Sequence, residues 1–368
     1  MPKPLKIGID VKDLQVAQTG TKTYLEELCK IFKHNTNPRY QFYFFDTWFP
    51  PYLGNNKLLK LLGHLRYQFW KQVSLPIKAW LKGVDVLFCT DNVVPLIKLG
   101  YKTVPVFHDA FFFESPEHFN KIWLKLTLAT AIPAARRSPL VITPSRYARQ
   151  QIHKYTNIAI EKMPVIYEGP KSLGAFVDSP SKNHFGKYIL HVGVMNKRKN
   201  IPALIRAFAK VKQRGNADLK LVLAGKIENK MFSDDSEEIN KALAESQCEQ
   251  DIIFPGYLSD QELAAIYQHA HLYVFPSTNE GFGIPILEAF KYSLPVVVAD
   301  NTALPEIGGE AVLTFDPFSI DDIAAKIEMA LNSDLLRATL INKGRERLKL
   351  FSWEKTAESL LQEFERIQ

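Results

Sequence analysis

Ten short apolar runs, each followed by a stretch of helical character, constrain this chain more than any other feature. In the first half they are 6–10 (KIGID), 40–45 (YQFYFF), 84–89 (VDVLFC), 103–108 (TVPVFH) and 139–143 (PLVIT). In the second half they are 188–193 (YILHVG), 219–225 (LKLVLAG), 251–256 (DIIFPG), 271–276 (HLYVFP) and 294–299 (LPVVVA). Runs nearly continuous in Val, Ile and Leu belong to strands covered on both faces, and such strands build parallel sheets. Strands that alternate with helices imply doubly wound, Rossmann-like domains, so the expected class is α/β.

The 368 residues and 46% hydrophobic content are enough for two packed domains. The division falls near 169–187, GPKSLGAFVDSPSKNHFGK, where Gly, Pro, Ser and charge replace any helical period. This gives a first domain over 1–170, a linker over 171–186 and a second domain over 187–350. A closing helix over 351–368 has Ser352 as its N-cap. Ligands of such sheets bind beyond the carboxyl ends of the strands. The residues that follow each strand are therefore the candidates for chemistry.

After the strand at 271–276 comes PSTNEGFGIPILEAF, with Glu280 and Glu288 bracketing a glycine loop and Pro285 starting a helix. Gly281 and Gly283, with Phe282 and Ile284 between and beyond them, let the backbone approach a ligand closely. The helix behind them offers unpaired N–H groups and partial positive charge, which suit a phosphate. The two carboxylates can accept hydrogen bonds from sugar hydroxyls on either side of it. The alternative is an ordinary helix start with two solvated acids. Arg198 and Lys199 occupy the turn after the strand at 188–193, and Lys226 ends the neighbouring strand. Such cations suit a diphosphate, the arginine bidentately and the lysines as point charges. The other reading is a solvated basic turn. In the first half His108 and Asp109 end the strand at 103–108, and Gly20 opens a loop before a helix containing Tyr24. His191, inside a strand, reads as packing.

These motifs resemble the retaining glycosyltransferases of family 4, or glycosyl transferases group 1, which have the GT-B fold. The likeness spans most of the chain and is strongest from about 187 to 366. It implies two Rossmann-like domains facing a central cleft, the first on the acceptor side and the second binding a nucleotide sugar, with the last helix crossing back onto the first. It further implies that Glu280 touches the donor hexose, Glu288 the ribose, and His108 the donor sugar or acceptor. Arg198, Lys199 and Lys226 would hold the diphosphate, and Tyr257 in FPGYLSDQELAAIY would lie near the base. LPEIGGEAVLTFDP, with Glu306, resembles the run after the donor site. Two departures stand out. Val194 replaces an arginine that many relatives carry, and Gly20-Thr21-Lys22-Thr23-Tyr24 replaces their Gly-Ile-Gly-Arg-Tyr. The implied reaction moves a hexose from a UDP- or GDP-type donor to a glycan or lipid-linked acceptor, with retention, in cell-surface polysaccharide or lipopolysaccharide synthesis. The family implies no cofactor and no metal, and the acidic run 233–238 reads as a solvated helix start. An epimerase or phosphorylase on the same fold, or a non-catalytic nucleotide-binding subunit, stays open beside it.

A net charge of +7 and a pI near 9.0 favour anionic partners without choosing among nucleotide, nucleic acid and acidic lipid. The basic residues are dispersed and form no known module, so nucleic acid is not expected. No Gly-x-Gly-x-x-Gly follows the first strand, which argues against a dehydrogenase. Cys29, Cys89 and Cys248 are far apart, mostly in apolar runs, and read as reduced thiols in a cytoplasmic protein. The N-terminus lacks a signal-peptide core, and no apolar run reaches the roughly 18 residues of a membrane span. Three aromatic and basic stretches, 42–53, 65–80 and 119–137, suit either a peripheral contact on the inner membrane face or the lining of core and acceptor cleft.

Overall fold

Every strand pair among the described residues is parallel, as the doubly covered runs require. The computed structural model describes residues 3–16, 20–47, 57–118, 121–174, 185–227 and 234–368. Several expectations fall partly outside the described residues: the linker (175–184), the start of the acidic run (Ser233), and parts of two aromatic-basic stretches (48–53, 119–120). The chain forms two units, Met1–Glu168 with Trp353–Gln368, and Gly169–Ser352.

The first unit holds β1 (Leu5–Asp10), β2 (Tyr40–Phe45), β3 (Val86–Cys89) and β4 (Lys102–Pro105) in the order β2-β1-β3-β4. β1 and β3 are central and buried, whereas the edge strand β2 keeps most of its aromatic side chains half-covered. The last helix, Trp353–Arg366, belongs to this unit. Trp353 meets Tyr24 edge-on at 5.6 Å, Phe364 meets Phe88 at 5.3 Å, and the Thr356 hydroxyl donates to the Tyr167 carbonyl at 2.7 Å.

The second unit holds β5 (Tyr188–Val192), β6 (Lys220–Ala224), β7 (Ile252–Gly256), β8 (Leu272–Phe275), β9 (Val296–Ala299) and β10 (Val312–Phe315), in the order β10-β9-β8-β5-β6-β7. β8 and β9 are buried along their whole length. The helix Ile201–Gln213 buries Leu204, Ile205 and Phe208 on one face, the 3.6-residue stripe of a crossover helix.

Three local expectations change. The run 139–143 makes only isolated bridges, Ile142 with Val106 and Thr143 with Val165. Its amides donate to the Pro105, Lys162 and Pro164 carbonyls, and the Phe107 and Ile166 amides return bonds to it, but Pro105 and Pro164 have no N–H to carry the pairing back to Leu140 and Val141, so the ladder is broken. The run 103–108 ends as a strand at Pro105. β10, in the segment after the donor motif, is a strand where none is expected. It is four residues long and at the sheet edge, with Leu313 and Thr314 half-exposed, so its apolar signal is weak.

Candidate functional site

Read from β7 to β10, the second sheet has the sequence order 3-2-1-4-5-6, and the winding direction reverses between β5 and β8. In open α/β sheets ligands bind at such a switch point, beyond the carboxyl ends. The loops that leave β5 and β8 are bonded to each other there. The Arg198 carbonyl accepts from the Thr278 amide at 2.7 Å and lies 3.0 Å from the Ser277 hydroxyl. The Asn200 amide bridges the Pro276 and Pro317 carbonyls at 3.3 and 2.8 Å.

Glu280 stands in this joint and is buried. Its Oε1 accepts from the Lys199 ammonium at 2.5 Å and the Ser277 hydroxyl at 2.6 Å, and its Oε2 lies 3.5 Å from the Arg198 guanidinium. Burial pushes the carboxyl up, but the Lys199 and Arg198 charges and the hydrogen bonds from Lys199 and Ser277 outweigh it and bring it down to about 2. Glu280 is thus a fixed anion at neutral pH. Lys199, also buried, lies 4.9 Å over the Phe275 ring. Its charge is matched inside the protein by Glu280. Arg198 is only part-buried and also reaches the Asn279 carbonyl at 3.3 Å.

The helix after the loop runs Ile284–Lys291, one residue earlier than expected, with Pro285 at its second position. Gly283 caps it at φ +114°, with no side-chain cap. A Cβ there would come within 3.0 Å of Leu304, so both conformation and space require glycine. Phe282 is buried with its ring edge toward Phe351 at 6.1 Å, and Ile284 is buried too, so this loop offers a ligand its backbone. Glu288, on the same helix, is buried and accepts from the Tyr267 hydroxyl at 2.7 Å. Burial raises its carboxyl to about 7 against the Tyr267 hydrogen bond.

Lys226 follows β6. Among the described residues it has no carboxylate partner, and its ammonium lies 5.2 Å over the exposed ring of Tyr257. Gly225 before it, at φ +142°, passes so close to Gly193 that a Cβ would sit 1.9 Å from the Gly193 carbonyl oxygen. This contact holds the ends of β5 and β6 together, and with them Lys226. His191 is buried in β5 with Nδ1 on the Val274 carbonyl at 3.0 Å, and burial lowers it to about 4. It packs as a neutral ring. A depression of about 450 Å³ beside the β9 and β10 ends is lined by Asp300, Asp316 and Asp322 against Lys326. Its acidic lining is unsuited to a phosphate.

The first unit carries its own switch point, between β1 and β3. There the fully buried Lys71 ammonium lies 2.6 Å from Asp10 and 2.6 Å from Asp91. Trp70 donates to Asp10 at 3.0 Å, and the Tyr67 hydroxyl to Asp91 at 2.5 Å. Asp13 is buried beside them, and burial, with the Asp91 charge next, raises it to about 7. His108 has both ring nitrogens engaged, Nε2 on the Thr90 carbonyl at 2.8 Å and Nδ1 facing Glu168 at 3.3 Å. Burial disfavours its imidazolium, but the Glu168 hydrogen bond and charge prevail and shift it upward. Tyr24 meets it edge-on at 5.0 Å. Gly20 begins the helix Gly20–Lys33, the residues before it lie outside the described ones, and Lys22 pairs with Glu26 at 3.6 Å.

The structure thus gathers Arg198, Lys199 and Glu280 at one joint, with the Gly281–Ile284 loop continuing from it. Lys226 and Tyr257 form a pair at the ends of β6 and β7. His108 and Gly20 belong to the other unit. Sequence reasoning missed Ser277, Tyr267, Asp10, Asp13, Lys71, Asp91 and Glu168. Asp10 and Asp91 end or follow strands and were within reach of the strand-end rule. Lys71, a lysine inside a helix, gave no signal.

Residues 176–347 match the family described as glycosyl transferases group 1. Residues 176–347 thus form a group 1 glycosyltransferase domain, and the chain has the GT-B fold. The glycosyltransferase is 29% identical over 262 residues to O-antigen chain mannosyltransferase B of Escherichia coli, covering 69% of this chain and 67% of that one. It is 28% identical over 291 residues to the serotype-specific mannosyltransferase WbdA of Escherichia coli, covering 74% of this chain but 34% of that longer one. Its fold matches that of Anabaena Alr3699/HepE in complex with UDP and glucose, with a TM-score of 0.72, 18% identity, and coverage of 98% and 100%. Among the described residues, no helix is long and apolar enough to cross a membrane.

Proposed function

We propose that this glycosyltransferase moves a hexose from a nucleotide-diphosphate sugar to a glycan or lipid-linked acceptor. In this reading it retains the anomeric configuration and works in cell-surface polysaccharide synthesis, in the cytoplasm at the inner membrane face. The observation that carries the reading is the buried Lys199–Glu280–Ser277 set at the switch point of the second sheet, one glycine turn from an uncapped helix N-terminus. Glu280 is held ionised and aimed by two donors. It accepts hydrogen bonds from the hexose hydroxyls. The diphosphate lies on the N–H groups at the start of Ile284–Lys291, near Arg198 and Lys226, whose charge offsets that of the departing nucleotide. Glu288 accepts from the ribose, and Tyr257 lies by the base. His108 acts near the anomeric centre, and the Gly20 loop serves the donor phosphates and the acceptor. The mannosyltransferase relatives support mannose as the first hexose to test, and the HepE complex supports including UDP donors.

No metal enters this reading, because cations and a helix end already stand where leaving-group charge develops. EDTA should leave the rate unchanged. The deciding experiment is a thermal-shift screen over GDP- and UDP-hexoses, followed by product analysis with the best donor and a lipid-linked glycan. Ligand bound to the native state raises the apparent midpoint. If no nucleotide sugar raises the midpoint and none is consumed, the reading fails.

A further inference from the structure

We propose that the helical stretch 57–82 lies on an anionic bilayer surface, its outer apolar face seated at the boundary between headgroups and acyl chains. The stretch is a helix Lys57–Phe69, a π-helical turn Trp70–Ser74 and a helix Leu75–Lys82. One face is spent on the protein's own core, where Trp70, Leu75 and Ala79 are buried. The other face is also apolar and stands in water. Leu62, Leu65, Phe69, Val73, Ile77 and Trp80 follow each other at steps of three and four, and all are exposed, Leu65, Phe69 and Trp80 by 57–59%. Steps of three and four keep side chains on one helical face. The wider π turn, closed by the Leu75 amide on the Trp70 carbonyl, absorbs the drift that consecutive steps of four would bring. Eight of the seventeen exposed large hydrophobic side chains among the described residues lie between Leu59 and Leu81. A concentration of that kind marks an interaction surface.

Charge selects the occupant. From 57 to 82 the chain has six lysines and arginines and no aspartate or glutamate. Lys71 is consumed by Asp10 and Asp91. Lys78 and Lys82 have no carboxylate partner among the described residues; each lies over an aromatic ring, Trp70 at 5.0 Å and Tyr43 at 5.9 Å. An apolar stripe with a Trp, flanked by acid-free cations, is complementary to anionic lipid. A second copy of the chain fits worse, since a two-fold contact on this face would set like charges against each other.

The proposal deepens the membrane contact in the reading above, and its test needs neither donor nor turnover, so the two fail separately. The full chain is floated with vesicles of phosphatidylglycerol and phosphatidylcholine, and with pure phosphatidylcholine, at low and high salt. Flotation is expected with the anionic vesicles only, weakened by salt. Leu65→Asp with Phe69→Asp, at exposed positions, should lower the bound fraction on the order of tenfold while the thermal midpoint holds. Lys78→Glu with Lys82→Glu should do the same without touching the stripe, and decides the matter if the first pair folds poorly. No flotation at low salt overturns the proposal. So does flotation that both pairs leave intact, or a sedimenting dimer that the stripe variant dissociates in place of vesicle binding.

Discussion

Glu280 and Glu288 are eight positions apart on one motif, yet their surroundings push them in opposite directions. Glu280 sits at about 2 against an ordinary 4.5, because two cations face it. A lowered carboxyl stabilises the fold fully above its ordinary value, and that contribution is lost as pH falls from 4.5 toward 2; it amounts to about 3 kcal/mol. Glu280→Gln should therefore flatten the acid limb of the stability profile in urea titrations. It should also lower the neutral-pH stability by about 3 kcal/mol, because Lys199 is left buried without a counter-charge. Transfer should fall by about 10²-fold or more beyond the unfolded fraction, measured by kcat at a temperature where the variant is folded. Glu288 sits at about 7, raised by burial. The sign reverses: the folded protein holds the extra proton between 4.5 and 7, and stability declines across that window as pH rises. Glu288→Gln should gain up to about 3 kcal/mol at pH above 7. If the ribose hydroxyls bind there, nucleotide should favour the carboxylate and release a proton near neutral pH. Calorimetry in buffers of different ionisation enthalpy would read it, and no proton release would remove Glu288 from the site.

At the level of elements, two strand ends and one glycine contact set the positions of the cations. Gly225 lies so close to Gly193 that no side chain fits, and its φ of +142° is open to glycine alone. Gly225→Ala should cost on the order of 3–5 kcal/mol in urea unfolding, through clash and strain together. In any folded fraction the end of β6 must move, so nucleotide affinity should fall with Lys226 unmutated. Unchanged affinity and midpoint would show that β5 and β6 separate without consequence. The strands themselves were mostly legible, because continuous apolar runs are a local signal. The exceptions have local causes too: prolines 105 and 164 interrupt the ladder around 139–143, and β10 is a short half-exposed edge. The π turn at Trp70–Ser74 was not legible. Trp70 and Lys71, its first two residues, are both buried.

For the whole molecule, the last sixteen residues count with the first unit although they follow the second in sequence. Trp353, Leu360 and Phe364 are buried there, each worth about 1.5–3 kcal/mol of apolar burial. Truncation before Trp353 should loosen the first unit while leaving the second able to bind nucleotide. Limited proteolysis should map early cuts to residues before 168, and a nucleotide-dependent midpoint should survive. Equal protection of both units would refute this. The sequence by itself determined the class of fold, the strand ends where chemistry gathers and the glycine loop at Gly281–Gly283, because periodicity and backbone freedom act over a few neighbouring residues. Only the tertiary structure decided that Lys199 answers Glu280, 81 positions away, and that Lys71 answers Asp10 and Asp91. A buried charge is settled by whichever counter-charge the packed sheets bring within hydrogen-bond reach, and spacing along the chain carries no record of that.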